Sequence, residues 1–341
     1  MKKLVLLIGM GLGLSHMGLA QASGAEHYIL QARDEMARQR YLSAYDLLKR
    51  AVSLQPEGRE ANLALGQACW ELRKYQESKT AYQKAYAFDK KDTHVVARLT
   101  QLNYFLRNWQ EAIDMARLQE LQVPGHSNAL LIGKAYYELE DYGQSVKYLS
   151  KAWQEDSSRS EIPFLAARSF VEMSNYKRAA GCYEQALALS PEKAEWMYEA
   201  GMAYAAANNH PKAIEWMEKA AANGYKQSND FLHNLGMAYL GNKEFDKGMA
   251  RLQELLQRKP EDIELLYTVG ETYYQAKKYD EAINTWDRIL ALDKTEANAV
   301  YMIGLAYIKK GETNKGKSLC EKAIQMDPAL AKLREKKEGI F

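Results

Sequence analysis

The sequence repeats itself about every 34 residues, and this period restricts the possible folds more than any other feature. A small residue, usually followed three positions later by an aromatic one, recurs along the chain. If the small residue is taken as position 8 of a repeat, successive copies are 33, 34 or 35 residues apart. These residues are Ala32, Gly66, Thr100, Gly133, Ala167, Gly201, Gly236, Gly270 and Gly304. Nine copies of this period indicate stacked repeats rather than two separate globular domains.

Each repeat has the pattern of a helical hairpin. In residues 263–296, two segments have the apolar spacing of amphipathic helices, and a polar turn at 276–278 separates them. Asp280 and Glu281 open the second segment with acids that suit a helix N-terminus. The sequence therefore predicts an all-α chain of nine hairpins. Their predicted bounds are 25–58, 59–92, 93–125, 126–159, 160–193, 194–228, 229–262, 263–296 and 297–330.

Small residues at two positions predict that the two helices of a hairpin approach closely. Position 8 is glycine in six of nine repeats, although glycine inside a helix costs about 1 kcal/mol relative to alanine. Position 20, on the second helix, is small in every repeat. Its residues are Ala44, Ser78, Ala112, Ser145, Ala179, Ala213, Gly248, Ala282 and Gly316. Close contact between the helices would offset the cost of the glycines.

The residues at positions 8, 11, 17, 20, 24, 27 and 32 resemble the tetratricopeptide repeat (TPR) family across essentially the whole chain after residue 22. Aromatic residues are frequent at positions 11 and 17, and five of the seven prolines fall at position 32. The resemblance implies an α-α superhelix, a TPR solenoid, whose concave groove commonly binds peptides or partner proteins. Residues 331–341 are predicted to form a C-terminal cap, in a helix over 329–338. Alternatively, their basic side chains could contact an acidic surface.

The first 22 residues have the pattern of a secretory signal peptide. Lys2 and Lys3 precede an apolar run at 4–14, and Ala20-Gln21-Ala22 matches a cleavage site. An uncleaved membrane anchor is the alternative, but the run is too short to span a bilayer. The sequence thus predicts export, to the periplasm of a Gram-negative cell or out of it. Removing residues 1–22 takes away two of 46 basic and none of 44 acidic residues, which leaves no net charge. This balance disfavours nucleic acid as a partner.

No catalytic or metal-binding motif stands out in the sequence. The three cysteines are more than one hundred residues apart, which favours buried thiols over a disulfide framework. The histidines lack metal-ligand spacing, and no phosphate-binding loop or nucleophile elbow is present. We therefore expect a protein without enzymatic activity, cofactor or metal.

Candidate binding residues come from the positions that the TPR resemblance places on the concave side, namely 2, 5, 6, 9, 12 and 13 of each first helix. One set, in repeats three to five, would suit an acidic segment: Arg98, Gln101, Tyr104, Lys134, Tyr137 and Arg168. The other, in repeats six to nine, would suit an apolar or aromatic segment: Met202, Met237, Tyr267, Tyr274 and Tyr301. Alternatively, these side chains only pack between first helices, with Lys134 or Arg168 paired to Glu138 or Glu172.

The functional hypothesis is a scaffold or adaptor of the cell envelope that binds a protein or peptide segment in its groove. Two alternatives remain open. One is a structural organiser that assembles with copies of itself, and the other is a regulatory subunit of an envelope enzyme. The sequence does not identify the partner, because one repeat fold serves unrelated ligands.

Overall fold

The computed structural model describes residues 24–332 of the 341-residue chain. Every regular element in this range is a helix, which confirms the all-α prediction for these residues. The predicted signal peptide and all but the first residues of the predicted C-terminal cap lie outside the described range. The chain divides between Ser174 and Asn175 into two compact units, which we call the N-terminal unit and the C-terminal unit.

The N-terminal unit contains four helix hairpins and one further helix. In each hairpin a first helix packs against the second, and the second also packs against the next first helix. The helices are α1 (24–37), α2 (Tyr41–Leu54), α3 (Arg59–Glu71), α4 (Tyr75–Phe88), α5 (Thr93–Phe105), α6 (Trp109–Gln122), α7 (Ala129–Glu138), α8 (Tyr142–Glu155) and α9 (Glu161–Glu172).

The C-terminal unit begins with one helix and continues with four hairpins. Its helices are α10 (Tyr176–Leu189), α11 (Ala194–Ala206), α12 (His210–Ala222), α13 (Asn229–Gly241), α14 (Phe245–Arg258), α15 (Ile263–Gln275), α16 (Tyr279–Leu292), α17 (Ala297–Lys310) and α18 (Thr313–Met326). A short 3₁₀ turn, Pro328–Leu330, follows α18. Leu330 is buried against Tyr301 and Ala323 and so covers the end of the last hairpin.

The position-8 glycines make room for a large side chain of the second helix. A Cβ atom on Gly133 would lie 2.9 Å from Cγ of Leu149, and one on Gly66 would lie 2.8 Å from the ring of Tyr82. Leu149 and Tyr82 occupy position 24 of their repeats. The predicted close approach is confirmed, and the structure adds that position 24 fills most of the space.

The hairpin turns share one backbone conformation. Position 15 has a positive φ, between 54° and 63°, in eight repeats although none of these residues is glycine. These residues are Gln39, Arg73, Arg107, Glu140, Ser174, Asn208, Lys243 and Lys277. A left-handed residue ends a helix and redirects the chain, so the second helix of each hairpin starts in the same way.

Two findings bear on chemistry. No disulfide joins Cys69, Cys182 and Cys320, and burial raises the pKa of the Cys69 thiol to about 11. A thiol with so high a pKa is a poor nucleophile at neutral pH. Among residues 24–332, no helix is both long and apolar enough to cross a membrane.

Candidate functional site

In the C-terminal unit, a groove of about 710 Å³ lies across three first helices, α11, α13 and α15. Each helix contributes its position-9 residue to the wall: Met202, Met237 and Glu271. We call the surface formed by positions 2, 5, 6, 9, 12 and 13 the first-helix face. The groove lies on that face, where the small residues Ala205 and Gly241, at positions 12 and 13, also line it.

The groove wall combines apolar side chains with polar ones, and seven of its 15 lining residues are polar or charged. Met237 is 42% exposed, and Leu240 and Phe245 also line the cavity. Lys243 and Glu271 add opposite charges. This combination is typical of a binding site in which apolar contact gives affinity and a few polar groups give orientation. Thioether side chains adapt to differently shaped apolar ligands.

His210 and Gly241 form a part of the wall that sequence reasoning missed. A Cβ atom on Gly241 would lie 2.5 Å from Cε1 of His210, so the imidazole occupies the space of a side chain at that position. His210 Nδ1 is buried without a hydrogen-bond partner among the described residues. The sequence signal that points to this part of the wall is Gly241, because each of the other eight repeats has a residue larger than glycine at position 13.

The three predicted tyrosines of the C-terminal unit lie outside this groove. Tyr267 is half-buried, and its hydroxyl donates a hydrogen bond of 3.0 Å to Glu296 Oε2. Burial, together with Glu296, raises the pKa of Tyr267 to about 12. Tyr274 packs against the rings of Tyr279 and Trp286. These two side chains serve packing between helices.

Tyr301 requires a correction. We predicted it as a binding residue, but it is only 3% exposed and lies in the apolar cluster with Leu330. The residues that follow the last hairpin cover it. Its ring is therefore inaccessible to a partner.

In the N-terminal unit, Lys134 has a partner that differs from those proposed. Its Nζ lies 2.6 Å from Glu161 Oε2, and Arg159 also pairs with Glu161. Burial pushes the pKa of Glu161 upward, but hydrogen bonds from Lys134 and Arg159 outweigh it and the net pKa is lowered. Lys134 and Arg159 also line a smaller cavity of about 320 Å³, together with Tyr104.

The remaining predicted residues of this unit form contacts between rings and cations. The guanidinium of Arg98 lies 4.8 Å from the ring centroid of Trp70. That of Arg168 lies 5.6 Å from the ring of Tyr137. Gln101 accepts a hydrogen bond of 3.3 Å from Arg98. The structure thus brings Arg98 and Gln101 together, and Arg168 and Tyr137, in separate pairs.

Nothing in residues 24–332 assembles into a metal centre: no group of three or more His, Cys, Asp or Glu side chains there is arranged to hold an ion.

Family models match most of the chain. The model described as tetratricopeptide repeat matches residues 29–93 and 164–227, and a second model of that description matches 128–157 and 297–330. A model described as TPR repeat matches 270–311. Residues 206–289 also match the model for subunit 3 of the anaphase-promoting complex, cyclosome. No curated protein matches the chain.

Solved structures share the fold. The C-terminal part of a TPR repeat-containing protein from Cytophaga hutchinsonii is 17% identical, with a TM-score of 0.54 over 70% of this chain and 98% of that one. A tetratricopeptide repeat protein from Parabacteroides merdae is 15% identical, with a TM-score of 0.45 over 73% and 99%. YrrB, described as a TPR protein with an unusual peptide-binding site, is 24% identical, with a TM-score of 0.44 over 55% and 97%. The first of these matches supports the predicted α-α superhelix class.

Proposed function

The chain belongs to the tetratricopeptide repeat family, and from this premise we propose that it is a non-enzymatic scaffold that binds segments of partner proteins on its first-helix face. The observation that carries the proposal is the groove of the C-terminal unit. Its volume of about 710 Å³ lies within the range of ligand-binding pockets. Met202, Met237 and Phe245 suit an apolar or aromatic stretch of a partner.

We further propose that the scaffold acts in the cell envelope after export. Residues 1–22 support this through their basic start, short apolar run and cleavage pattern. Expression of the full chain in a Gram-negative cell, followed by fractionation and N-terminal sequencing, tests it. We expect a periplasmic protein that begins at Ser23. A full-length protein that stays in the cytoplasm or membrane would contradict the proposal.

Site-specific photo-cross-linking tests the groove. A photoreactive residue at Met237 should capture a partner in living cells, whereas the same residue at Ala250 should not. Ala250 is a matched control because it is exposed on α14 in the same repeat but lies outside the groove. The captured protein is then identified and its binding measured. Met237→Glu should weaken binding by about tenfold or more, because it places a charge in an apolar contact.

The same experiment distinguishes a scaffold that binds other proteins from a structural organiser that assembles with copies of itself. Cross-linking of Met237 to another copy of the chain, together with a mass that rises with concentration in light scattering, would favour the structural organiser. Equal capture from Met237 and Ala250 would reject the groove as the binding site.

A further inference from the structure

We propose that the N-terminal unit carries a second docking surface, on which Arg98 and Arg168 each bind one carboxylate of an extended acidic segment of a partner protein. This surface lies on the first-helix face of the N-terminal unit and shares no residue with the groove described above. It goes beyond the proposed function because it is a second site with a different ligand. It rests on the proposed function in one respect, namely that the partner is a polypeptide.

The surface is built from a row of paired rings. In three consecutive repeats an aromatic residue at position 12 meets another at position 17 edge to face, with centroids 5.3–5.7 Å apart. Each pair joins the end of a first helix to the start of the second, and so fixes the position-12 ring. The pairs are Trp70–Tyr75, Tyr104–Trp109 and Tyr137–Tyr142.

Arg98 and Arg168 lie over the first and the last of these position-12 rings, those of Trp70 and Tyr137. A guanidinium has five N–H donors, and a cation–π contact with a ring does not use them as hydrogen bonds do. These donors match a carboxylate in geometry and charge. The ring contacts therefore hold two guanidinium groups in place and leave N–H donors for a carboxylate.

Both arginines lack an acidic partner within the described chain, unlike other cations of the same face. Arg33 pairs with Glu60 at 3.0 Å and Lys134 with Glu161 at 2.6 Å. Among residues 24–332, Arg98 and Arg168 form no ion pair with a carboxylate, and the polar contacts of Arg98 are with the uncharged side chains of Gln101 and Tyr82. Two positive charges of the row are thus left for an external anion.

The nearby acids restrict what kind of anion fits. Glu71, Glu138 and Glu172 occupy position 13 of repeats two, four and five and are exposed. A uniformly charged polyanion such as a nucleic acid would bring phosphates close to these carboxylates. A polypeptide with two well-separated acids can reach both arginines and place neutral residues beside the glutamates. Charge complementarity therefore favours the polypeptide.

The spacing of the arginines predicts the spacing of the acids. Arg98 lies on α5 and Arg168 on α9, which is two repeats further along. Neighbouring first helices contact through side chains, so they lie about 10–12 Å apart, and two repeats span roughly 20–24 Å. An extended chain advances about 3.3 Å per residue, which places the two acids about six or seven residues apart.

Synthetic peptides test the proposal on the full chain. Three fluorescent peptides share a serine–glycine background: in one, two aspartates are about seven positions apart, in the second about three, and in the third both are asparagine. Fluorescence anisotropy at low ionic strength measures their affinities, since screening weakens such contacts. We expect the widely spaced peptide to bind about tenfold more tightly than the closely spaced one, because only it engages both arginines.

Arg98→Gln and Arg168→Gln should each abolish this preference. Arg33→Gln should leave it unchanged, since Arg33 also lies on the first-helix face but is already paired with Glu60. Circular dichroism checks that all variants remain folded. Equal binding of the two acidic peptides, or an unchanged preference in the double arginine variant, would overturn the proposal. So would tighter binding of single-stranded oligonucleotide than of the widely spaced peptide. None of these results affects the groove, which the cross-link at Met237 tests separately.

Discussion

The first-helix faces of the two units use the same repeat positions for different surfaces. In the N-terminal unit, position 12 carries the rings of Trp70, Tyr104 and Tyr137, and Arg98 and Arg168 lie over two of them. In the C-terminal unit, Ala205 occupies position 12 of α11 and lines a groove with Met202 and Met237, whereas Tyr274 at position 12 of α15 keeps an edge-to-face pair with Tyr279. Position 12 can therefore hold either a ring with a cation over it or a small residue beside a groove within the same repeat.

The interior of the hairpins also differs between the units, at position 20. In the N-terminal unit, Ser78 and Ser145 donate buried hydrogen bonds of 2.7 and 2.9 Å to the carbonyl oxygens of Gly66 and Gly133. In the C-terminal unit, Gly248 leaves no room for such a side chain, because a Cβ atom there would lie 2.9 Å from the carbonyl oxygen of Gly236. Hairpins with serine at position 20 thus join their helices by a hydrogen bond, and the hairpin with Gly248 does so by direct backbone approach.

The largest expected effect comes from adding a side chain at Gly248, where the backbones of the two helices lie close together. Gly248→Ala places a methyl group 2.7 Å from Cγ of Leu240 as well as near the backbone of α13, which cannot move without shifting the hairpin. The overlap should outweigh the helix propensity gained, with a net loss of about 1–2 kcal/mol in unfolding free energy. Urea denaturation followed by circular dichroism measures it.

Gly181→Ala is the matched control. Gly181 lies in α10 of the same unit, and nothing lies within 4 Å of its Cβ position. It should stabilise the protein by up to about 1 kcal/mol, because only the propensity term remains. If both substitutions had the same sign, close helix approach would not explain Gly248.

The repeat made much of this architecture predictable, because hairpin packing depends on residues at a constant offset. Gly133 indicated close approach before the structure showed Leu149 in the space. The partner of Lys134 was missed: the sequence suggested Glu138 or Glu172, because spacing along the chain does not show which acid of the neighbouring repeat lies within reach of the side chain. The structure shows that position 9 pairs with position 2 of the next repeat, as in Arg33–Glu60 and Lys134–Glu161.

Other parts of the site could not be predicted because they depend on packing between repeats. Tyr301 occupies a position of the first-helix face, but it is buried because Leu330 folds back over the last hairpin. Trp70 was not among the predicted residues, although its ring supports Arg98 from the preceding repeat. The repeat pattern assigns a residue to a face, and it does not determine which neighbour covers it.

A smaller effect is expected from removing a hydrogen bond of the N-terminal unit. Ser145→Ala deletes the bond to the carbonyl of Gly133, inside a contact that excludes water. We expect a loss of about 1 kcal/mol in unfolding free energy, in line with a buried neutral hydrogen bond. Ser150→Ala, at an exposed site of the same helix, should change it by less than about 0.5 kcal/mol. If Ser145→Ala left the unfolding free energy unchanged, this hydrogen bond would not stabilise the hairpin.

The hairpin turns should behave alike in both units, unlike the surfaces they connect. Glu140 and Lys277 have φ values of 60° and 61°, in the left-handed region that side chains disfavour. Glu140→Gly and Lys277→Gly should each stabilise the protein by about 0.5 kcal/mol, since relief of strain exceeds the entropy added to the unfolded chain. Thermal denaturation compares them. Gly311→Ala, at a φ of 99°, should destabilise the protein. Stabilisation by only one of Glu140→Gly and Lys277→Gly would show that the turns of the two units are not equivalent.

The smallest expected effect concerns the pH dependence of Glu161. The pKa of Glu161 is lowered in the folded protein by Lys134 and Arg159 despite burial, whereas the pKa of a glutamate in the unfolded chain is about 4.3. The stabilisation is therefore present above that pH and lost as the pH falls through the lower folded value. Since the side chains of Lys134 and Glu161 are 28% and 40% exposed, we expect only a few tenths of a kcal/mol. The unfolding free energies of wild type and Glu161→Gln, measured by urea denaturation, should differ by this amount at neutral pH and converge in acid.

The same Glu161→Gln variant should bind the widely spaced acidic peptide more tightly, because it releases Lys134 onto a face where Arg98 and Arg168 already lack acidic partners. No change in peptide affinity would mean that Lys134 cannot reach the docked chain.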